Sequence, residues 1–204
     1  MVIINCKNYD EIAGDKIIKI AKISEKISKK YKVPIAIAPP HHLIPLITKF
    51  KITVLAQHVD DKKVGSTTGF MVPEIVKKSK INVSIMNHSE HRISEKEIIS
   101  LVKRLKKLKL KTVLCVKNVN EAKKYAKLNP TFIAIEPPEL IGTGRAISTE
   151  KPALISNAVK AVSSARNSTK LWCGAGIVSG QDVSKAKELG SRGILVASGI
   201  VKAK

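Results

Sequence analysis

Eight short apolar runs recur along the chain at roughly regular intervals, and stretches with helical periodicity separate them. Each run is nearly continuous in Val, Ile, Leu and Ala, which is typical of parallel strands that are covered on both faces. The predicted strands span residues 2–6, 34–38, 53–59, 82–87, 111–116, 132–136, 171–174 and 193–197. The pattern therefore predicts an α/β protein with a wholly parallel sheet.

The intervening stretches show the 3.6-residue period of amphipathic helices. In the first of them, the apolar face expected to pack on the sheet consists of Ile17, Ile20, Ile23 and Ile27. Residues 95–108 repeat the same pattern. Ser94 with Glu97, and Ser179 with Asp182, have the spacing of capping boxes, so each pair predicts a helix start.

Eight strand–helix units in one chain favour closure into a compact parallel (β/α)8 barrel, although periodicity alone leaves an open doubly wound sheet as an alternative. No linker or change of composition divides residues 1–204, so we expect a single domain. The longest connection without a pattern is 60–72, and such loops commonly serve function or assembly. The sequence stops six residues after Ser198, which predicts a shortened final helix and apolar surface that is exposed or covered by a neighbouring subunit.

Basic residues dominate the charge of the chain. Lys and Arg number 37 against 16 Asp and Glu, a net charge of +21 on 204 residues. Nucleic acid is not the expected partner, because the basic residues are spread along the whole chain and aromatic side chains for base stacking are few. A solvated Lys-rich surface whose positive field attracts an anionic substrate fits the composition better.

The cysteines and the apolar runs bear on location. Cys6, Cys115 and Cys173 each lie inside a predicted strand and have no metal-type spacing, so we expect buried, reduced thiols. The first residues lack the pattern of a signal peptide, and no apolar run is long enough to span a membrane. These features predict a cytoplasmic protein without membrane contact.

Polar residues that could perform chemistry follow several predicted strands, and in a barrel those strand ends share one mouth. Glu136 could take a proton from carbon, while His88 and Lys7 could stabilise the oxyanion formed. Small residues at 174–176 and 197–199 could offer backbone N–H groups to a phosphate. Each feature alone has a structural explanation, but their joint placement at strand ends favours an active site.

Several motifs along the chain resemble the triosephosphate isomerase family, most closely its shorter archaeal form. The motifs are Asn5-Cys6-Lys7, Gly65-Ser66-Thr67-Thr68-Gly69, His88-Ser89-Glu90, the segment Ala134 to Gly144, Gly174-Ala175-Gly176-Ile177 and Ala197-Ser198-Gly199. The resemblance covers residues 2–204. It implies a TIM barrel that interconverts dihydroxyacetone phosphate and D-glyceraldehyde 3-phosphate in glycolysis or gluconeogenesis.

The resemblance also implies roles for individual residues. Glu136 would be the general base of a reaction through a cis-enediolate, His88 a neutral electrophile, and Lys7 a positive charge oriented by Asn5. Residues 137–143 would form a lid, and the groups expected to bind the substrate phosphate are Ile141, Gly142, Gly176, Ala197 and Ser198. No metal or organic cofactor is implied, and the chain would act as a homo-oligomer, either a dimer or a tetramer.

Two positions depart from the family pattern. His91 stands where most members have an arginine, and Phe70 stands where many have an acidic residue. Both lie in regions that the family uses for loop anchoring and subunit contact, and Phe70 with Met71 is expected to pack at an interface. Two alternatives remain at this point: another phosphosugar-binding barrel enzyme, or a basic binding protein without catalytic activity.

Overall fold

The computed structural model describes residues 1–203, and within them eight parallel strands form one sheet. The strands are β1 (Val2–Asn5), β2 (Ile35–Ala38), β3 (Thr53–Val54), β4 (Val83–Met86), β5 (Lys111–Val116), β6 (Phe132–Ile135), β7 (Lys170–Cys173) and β8 (Ile194–Val196). Their order is β3-β2-β1-β8-β7-β6-β5-β4.

Backbone hydrogen bonds link the two outer strands, β3 and β4. The Ala56 N–H donates to the Val83 carbonyl over 3.1 Å, and the Ile85 N–H donates to the Ala56 carbonyl over 2.9 Å. The sheet thereby curls into a barrel, so the predicted (β/α)8 architecture is confirmed and the open doubly wound alternative is wrong. The third strand is shorter than predicted, because beyond Val54 only Ala56 continues the ladder with β4.

Helices connect the strands on the outside of the barrel. In the described part of the chain they are α1 (Lys16–Tyr31), α2 (Ile44–Ile47), α3 (Pro73–Lys78), α4 (Glu95–Lys107), α5 (Val119–Ala126), α6 (Ile147–Glu150), α7 (Pro152–Ser163), α8 (Gly180–Glu188) and α9 (Ser198–Val201). The predicted short final helix is confirmed by α9. None of the helices in residues 1–203 has the length and apolar character needed to cross a membrane.

Both predicted capping boxes are confirmed. The Ser94 hydroxyl accepts from the Glu97 N–H over 3.3 Å, and the Glu97 carboxylate accepts from the Ser94 N–H over 2.9 Å. Ser179 and Asp182 exchange the same two bonds over 3.2 and 2.9 Å. These bonds satisfy N–H groups that have no partner within the helix, which is why α4 and α8 begin at these positions.

The predicted apolar face of α1 is partly wrong. The helix buries Ile17, Ala21 and Ser24, whereas Ile23 is 51% exposed and Ile27 38% exposed. At 3.6 residues per turn, the steps of 3, 3 and 4 that join the predicted isoleucines drift by about 80° around the helix. The stripe therefore turns away from the sheet, and its later members meet solvent.

The interior of the barrel is filled by inward-pointing side chains at alternate strand positions. This inner cluster consists of Ile3, Ala36, Ala38, Leu55, Val83, Ile85, Val113, Cys115, Ala134, Trp172 and Leu195, with Phe132 packed against it. Two residues further along β1, β6 and β7, on the same inward-facing side, the chain reaches Asn5, Glu136 and Gly174 at the carboxyl end of the barrel. The inner core thus leads directly to the polar residues of the mouth.

The three cysteines are buried and unpaired, as predicted. Burial raises the pKa of Cys6 and of Cys173 to about 12, so both thiols stay protonated near neutral pH.

Candidate active site

A cavity opens at the carboxyl end of the barrel. The predicted residues that line it are Asn5, Lys7, His88, Glu136, Ile141, Gly142, Gly176, Ala197 and Ser198. Every predicted site residue therefore lies on one cavity, although the residues come from the carboxyl ends of five different strands and the segments that follow them.

Glu136 lies at the floor of this cavity, directly after β6. Its backbone N–H donates to the Val116 carbonyl over 2.9 Å, and the residue is only 5% exposed. The Oε2 atom is buried and has no hydrogen-bond partner among residues 1–203. A buried carboxylate oxygen without a partner is costly, and such groups are found where function requires them.

Gly174 and Cys115 form the immediate surroundings of the carboxylate. A Cβ atom on Gly174 would lie 2.6 Å from Glu136 Oε1, so only glycine leaves room for this side chain. Burial and the nearby Glu136 carboxylate together raise the pKa of Cys115 well above its usual range. The thiol is therefore a neutral neighbour of Glu136.

His88 faces Glu136 from the loop after β4. The Glu90 N–H donates to His88 Nδ1 over 3.2 Å, so in the neutral ring the proton lies on Nε2. That Nε2 atom is 3.7 Å from Glu136 Oε2. The ring thus presents an N–H donor to the cavity beside the free carboxylate oxygen.

The loop that carries His88 is fixed by Asn87. This residue adopts a left-handed φ of 58°, and its side chain donates to the Cys115 carbonyl over 2.9 Å and accepts from the Ile93 N–H over 3.1 Å. Backbone strain of this kind persists where the surroundings hold it, and it often occurs at active sites.

Lys7 reaches the cavity from the loop after β1, also with a left-handed φ of 46°. Its N–H donates to Asn5 Oδ1 over 3.1 Å, and its carbonyl accepts from Gln57 Nε2 over 3.1 Å. The Nζ atom lies 2.5 Å from Glu90 Oε1. Neighbouring side chains therefore fix the backbone of Lys7, while its ammonium group forms an ion pair at the mouth.

The loops after β6 and β7 meet at Gly176. A Cβ atom on this residue would lie 1.8 Å from the Arg145 carbonyl oxygen, and its φ is +70°. The Ile147 N–H also donates to the Ala175 carbonyl over 3.3 Å. This close approach brings Gly176 and Gly142 to the same cavity, where backbone N–H groups are available to an anion.

Short-range contacts organise the segment 137–143. The residues Pro138–Leu140 form a 3-10 turn, and the Thr143 hydroxyl donates to the Leu140 carbonyl over 2.9 Å. At the surface, Glu139 forms an ion pair with Lys151. The segment is thus a compact loop over the cavity, tied to the start of α7 by one exposed ion pair.

Sequence reasoning missed some of the lining residues. These are Tyr9, Ile177, Val178, Leu195 and Val196. Tyr9 follows Lys7 by two residues and is one of few aromatic residues in the chain, which was an available signal. The contact between Lys7 and Glu90 was not predicted, because these residues are 83 positions apart and their pairing depends on the fold.

A second, more open cavity adjoins the first. All the histidines of the chain line it: His41, His42, His58, His88 and His91. The rings of His58 and His91 stack with centroids 3.9 Å apart, and His58 Nε2 lies 3.3 Å from Asp60 Oδ1. Phe70 also lines this cavity and is 46% exposed. Both positions that depart from the family pattern, His91 and Phe70, thus lie on this surface.

The whole chain is similar to known triosephosphate isomerases. The family model described as "Triosephosphate isomerase" matches residues 1–204. Triosephosphate isomerase of Cenarchaeum symbiosum is 54% identical over 202 residues, which cover 99% of this chain and 90% of the relative. Those of Methanocaldococcus jannaschii and Saccharolobus solfataricus are 40% and 42% identical over 205 residues, covering 100% of this chain and 94% and 90% of the relatives.

Proposed function

Since the chain belongs to the triosephosphate isomerase family and interconverts dihydroxyacetone phosphate and D-glyceraldehyde 3-phosphate, we propose that Glu136 and His88 carry the proton transfers of that reaction and that Lys7 stabilises the negative charge that forms. Membership of this family sets aside both alternatives, a different phosphosugar enzyme and a binding protein without activity.

The unpartnered Oε2 of Glu136 is the observation that supports this assignment most. A general base needs an oxygen that is free to reach a carbon-bound proton, and this oxygen faces the cavity wall formed by His88. Of the acidic side chains in residues 1–203, Glu136 is the buried one that lines the cavity. Burial and position in the cavity therefore distinguish Glu136 from the other acidic residues as the proposed base.

In the proposed reaction, Glu136 and His88 share the proton transfers. Glu136 removes a proton from C1 of dihydroxyacetone phosphate, and the electron pair moves onto the carbonyl oxygen at C2. His88 Nε2–H donates to that oxygen and then recovers a proton from the oxygen on C1. Glu136 returns its proton to C2, and the product is the aldehyde. A planar cis-enediolate presents both carbons to the same carboxylate, so one base serves both steps.

Lys7 and the backbone groups would hold the charged parts of the substrate. The Lys7 ammonium group would stabilise negative charge on the enediolate and on the phosphate. The phosphate would be bound by backbone groups of Ile141, Gly142, Gly176, Ala197 and Ser198, which line the same cavity. Closure of residues 137–143 would exclude water and suppress loss of phosphate from the enediolate.

Replacing His88 by glutamine is expected to lower kcat by about 10² to 10³-fold, because a glutamine amide donates a hydrogen bond but cannot relay a proton. KM should change less than kcat, since the backbone groups that would bind the phosphate stay in place. Steady-state kinetics in a coupled assay would measure both constants. Activity within two-fold of the parent would remove His88 from its role.

We further propose that the chain forms a homo-oligomer through the histidine-lined cavity and the loop 60–72. Phe70 and Val64 of that loop are large apolar side chains exposed to solvent, and the cavity beside them is open and wide. Exposed apolar groups of this kind are characteristic of surfaces that pack against a partner. A second copy seated there would cover Phe70 next to the catalytic residues.

Replacing Phe70 by aspartate is expected to yield monomers, because a charge at a buried contact is strongly unfavourable. Light scattering after gel filtration would report the mass of each species. Tyr31→Asp is the matched control, since Tyr31 is exposed on α1 and should leave assembly unchanged. An unchanged oligomeric mass for Phe70→Asp would contradict the proposed interface.

We also propose that residues 1–204 act as one domain in the cytoplasm. The buried, unpaired thiols fit a reducing compartment. The positive charge would form a field around the mouth that attracts the phosphate dianion.

A further inference from the structure

Tyr9 lines both the catalytic cavity and the histidine-lined cavity. Two ammonium groups lie over its ring: Lys7 Nζ at 6.0 Å and Lys202 Nζ at 4.5 Å from the centroid. The face of an aromatic ring is electronegative, so it attracts cations at such distances. Tyr9 thus brings two positive charges together at the edge of the active site.

Lys202 connects this ring to the last helix. It directly follows α9, and its N–H donates to the carbonyl of Ser198, which lines the catalytic cavity. Its Nζ atom also lies 3.9 Å from Glu11 Oε1, in the turn after Tyr9. The loop after β1 and the helix after β8 are therefore joined at Tyr9.

This connection matters because α9 has only four residues, Ser198–Val201. Val201 is the buried apolar residue within it. A helix this short gains little stability from its own hydrogen bonds, so its position depends on contacts with its surroundings: the buried Val201, the close approach of Gly199 to Ile177, and the contacts of Lys202 at its end. The contacts of Lys202 with Tyr9 and Glu11 hold that end beside the first loop.

We propose that Tyr9 is a positioning residue for the substrate phosphate, which holds Lys7 and Lys202 together so that the dianion meets two positive charges. Lys202 contributes its positive charge at the mouth only while Tyr9 holds it there, whereas Lys7 reaches the substrate itself. The inference rests on the proposed site, because it requires that Lys7 and Ser198 lie at the phosphate. It adds two residues that determine the affinity for a doubly charged ligand.

The expected size of the effect on phosphate binding depends on how exposed the two lysine side chains are. The Lys202 side chain is 50% exposed, so salt screens its charge strongly, whereas the Lys7 side chain is largely buried. An aromatic contact with an ammonium group at an exposed site changes an equilibrium by a factor of about two to five. The expected changes are therefore moderate and concern binding.

The test compares Tyr9→Leu, Tyr9→Phe and Lys202→Met by KM, kcat and the inhibition constant of inorganic phosphate. Tyr9→Leu should raise KM and the phosphate inhibition constant about five-fold, with kcat within about two-fold. Tyr9→Phe should match the parent, because it retains the ring face. Lys202→Met should raise KM about three-fold and weaken its dependence on salt. The double variant Tyr9→Leu/Lys202→Met should lose no more affinity than Tyr9→Leu, since Lys202 acts through the ring.

Lys30 and Tyr31 provide a matched control pair. Lys30 Nζ lies 5.0 Å from the Tyr31 ring centroid on the outer surface of α1. Lys30→Met and Tyr31→Leu remove the same kinds of group, and we expect both to retain the KM of the parent. An equal rise of KM in Lys30→Met and Lys202→Met would show that the effect arises from net charge alone and would overturn the proposed role.

Two other outcomes would overturn the inference. One is an unchanged KM and phosphate inhibition constant in Tyr9→Leu, or in Lys202→Met if Tyr9→Leu does not fold. The other is an equal loss in Tyr9→Phe and Tyr9→Leu, which would assign the effect to the hydroxyl. Glu136→Gln, assayed in parallel, separates this inference from the site assignment. Loss of turnover there, with Tyr9→Leu unchanged, leaves the assignment intact and overturns only the role of Tyr9.

Discussion

Replacing Glu136 by glutamine is expected to lower kcat by about 10⁴-fold, because it removes the group that accepts the carbon-bound proton. Glutamine has nearly the same shape, so it fits the space that Gly174 leaves at the floor of the cavity. It also replaces a buried carboxylate by an uncharged amide of the same size, and a neutral group is less costly to bury, so the fold should not lose stability. KM should stay within a few-fold of the parent, as expected for a loss confined to the chemical step.

Two further variants serve as comparisons for Glu136→Gln. Glu136→Asp keeps the carboxylate but draws it back by one methylene, and a misplacement of about 1 Å can cost about 10²-fold in rate. Glu188→Gln changes an exposed carboxylate on α8 and should retain the activity of the parent. Thermal denaturation would verify that each variant folds. A Glu136→Gln protein with more than a tenth of the parent activity would contradict the role of Glu136.

Lys7→Met is expected to lower kcat/KM by about 10³-fold, because it removes charge that stabilises the enediolate and binds the phosphate. Unlike Glu136→Gln, this change should raise KM as well as lower kcat, since the phosphate is present in both the ground state and the transition state. Methionine keeps much of the length and volume of the lysine side chain. The Glu90 carboxylate is half exposed, so loss of its ion pair with Lys7 should cost little stability.

The control for Lys7 is another lysine with similar chemistry and no role in the site. Lys26 is an exposed lysine on α1, and Lys26→Met should leave both constants unchanged. Equal losses for the two variants would show that net charge, not position, determines the activity. An unchanged KM in Lys7→Met would contradict the proposed contact with phosphate.

The strands and the cavity could be predicted from the sequence for physical reasons. Parallel strands buried on both faces must be nearly continuous in apolar residues, so each strand left a local signal. The barrel also brings all strand ends to one mouth, so residues such as Asn5, His88 and Glu136 could be grouped without knowing any contact. That grouping is confirmed by the shared cavity, while their roles in catalysis stay predictions.

The features that escaped prediction depend on long-range packing. The pairs Lys7 with Glu90 and Tyr9 with Lys202 join distant parts of the chain, and no local pattern marks them. The buried face of α1 was partly mispredicted, because isoleucines at steps of 3, 3 and 4 move gradually around the helix. Only the packing of the helix on the barrel decides which of them are buried. Local periodicity thus predicts elements well, but the detailed surroundings of a side chain follow from the assembled barrel.

Proton exchange in heavy water tests the central claim most directly, because it follows the carbon-bound proton itself. The parent protein, incubated with dihydroxyacetone phosphate in D2O without added metal, should incorporate deuterium at carbon as the substrate equilibrates with its aldehyde isomer. Glu136→Gln should incorporate almost none, while inorganic phosphate binds it with the affinity of the parent. Equal rates of deuterium incorporation in the two proteins would contradict Glu136 as the base.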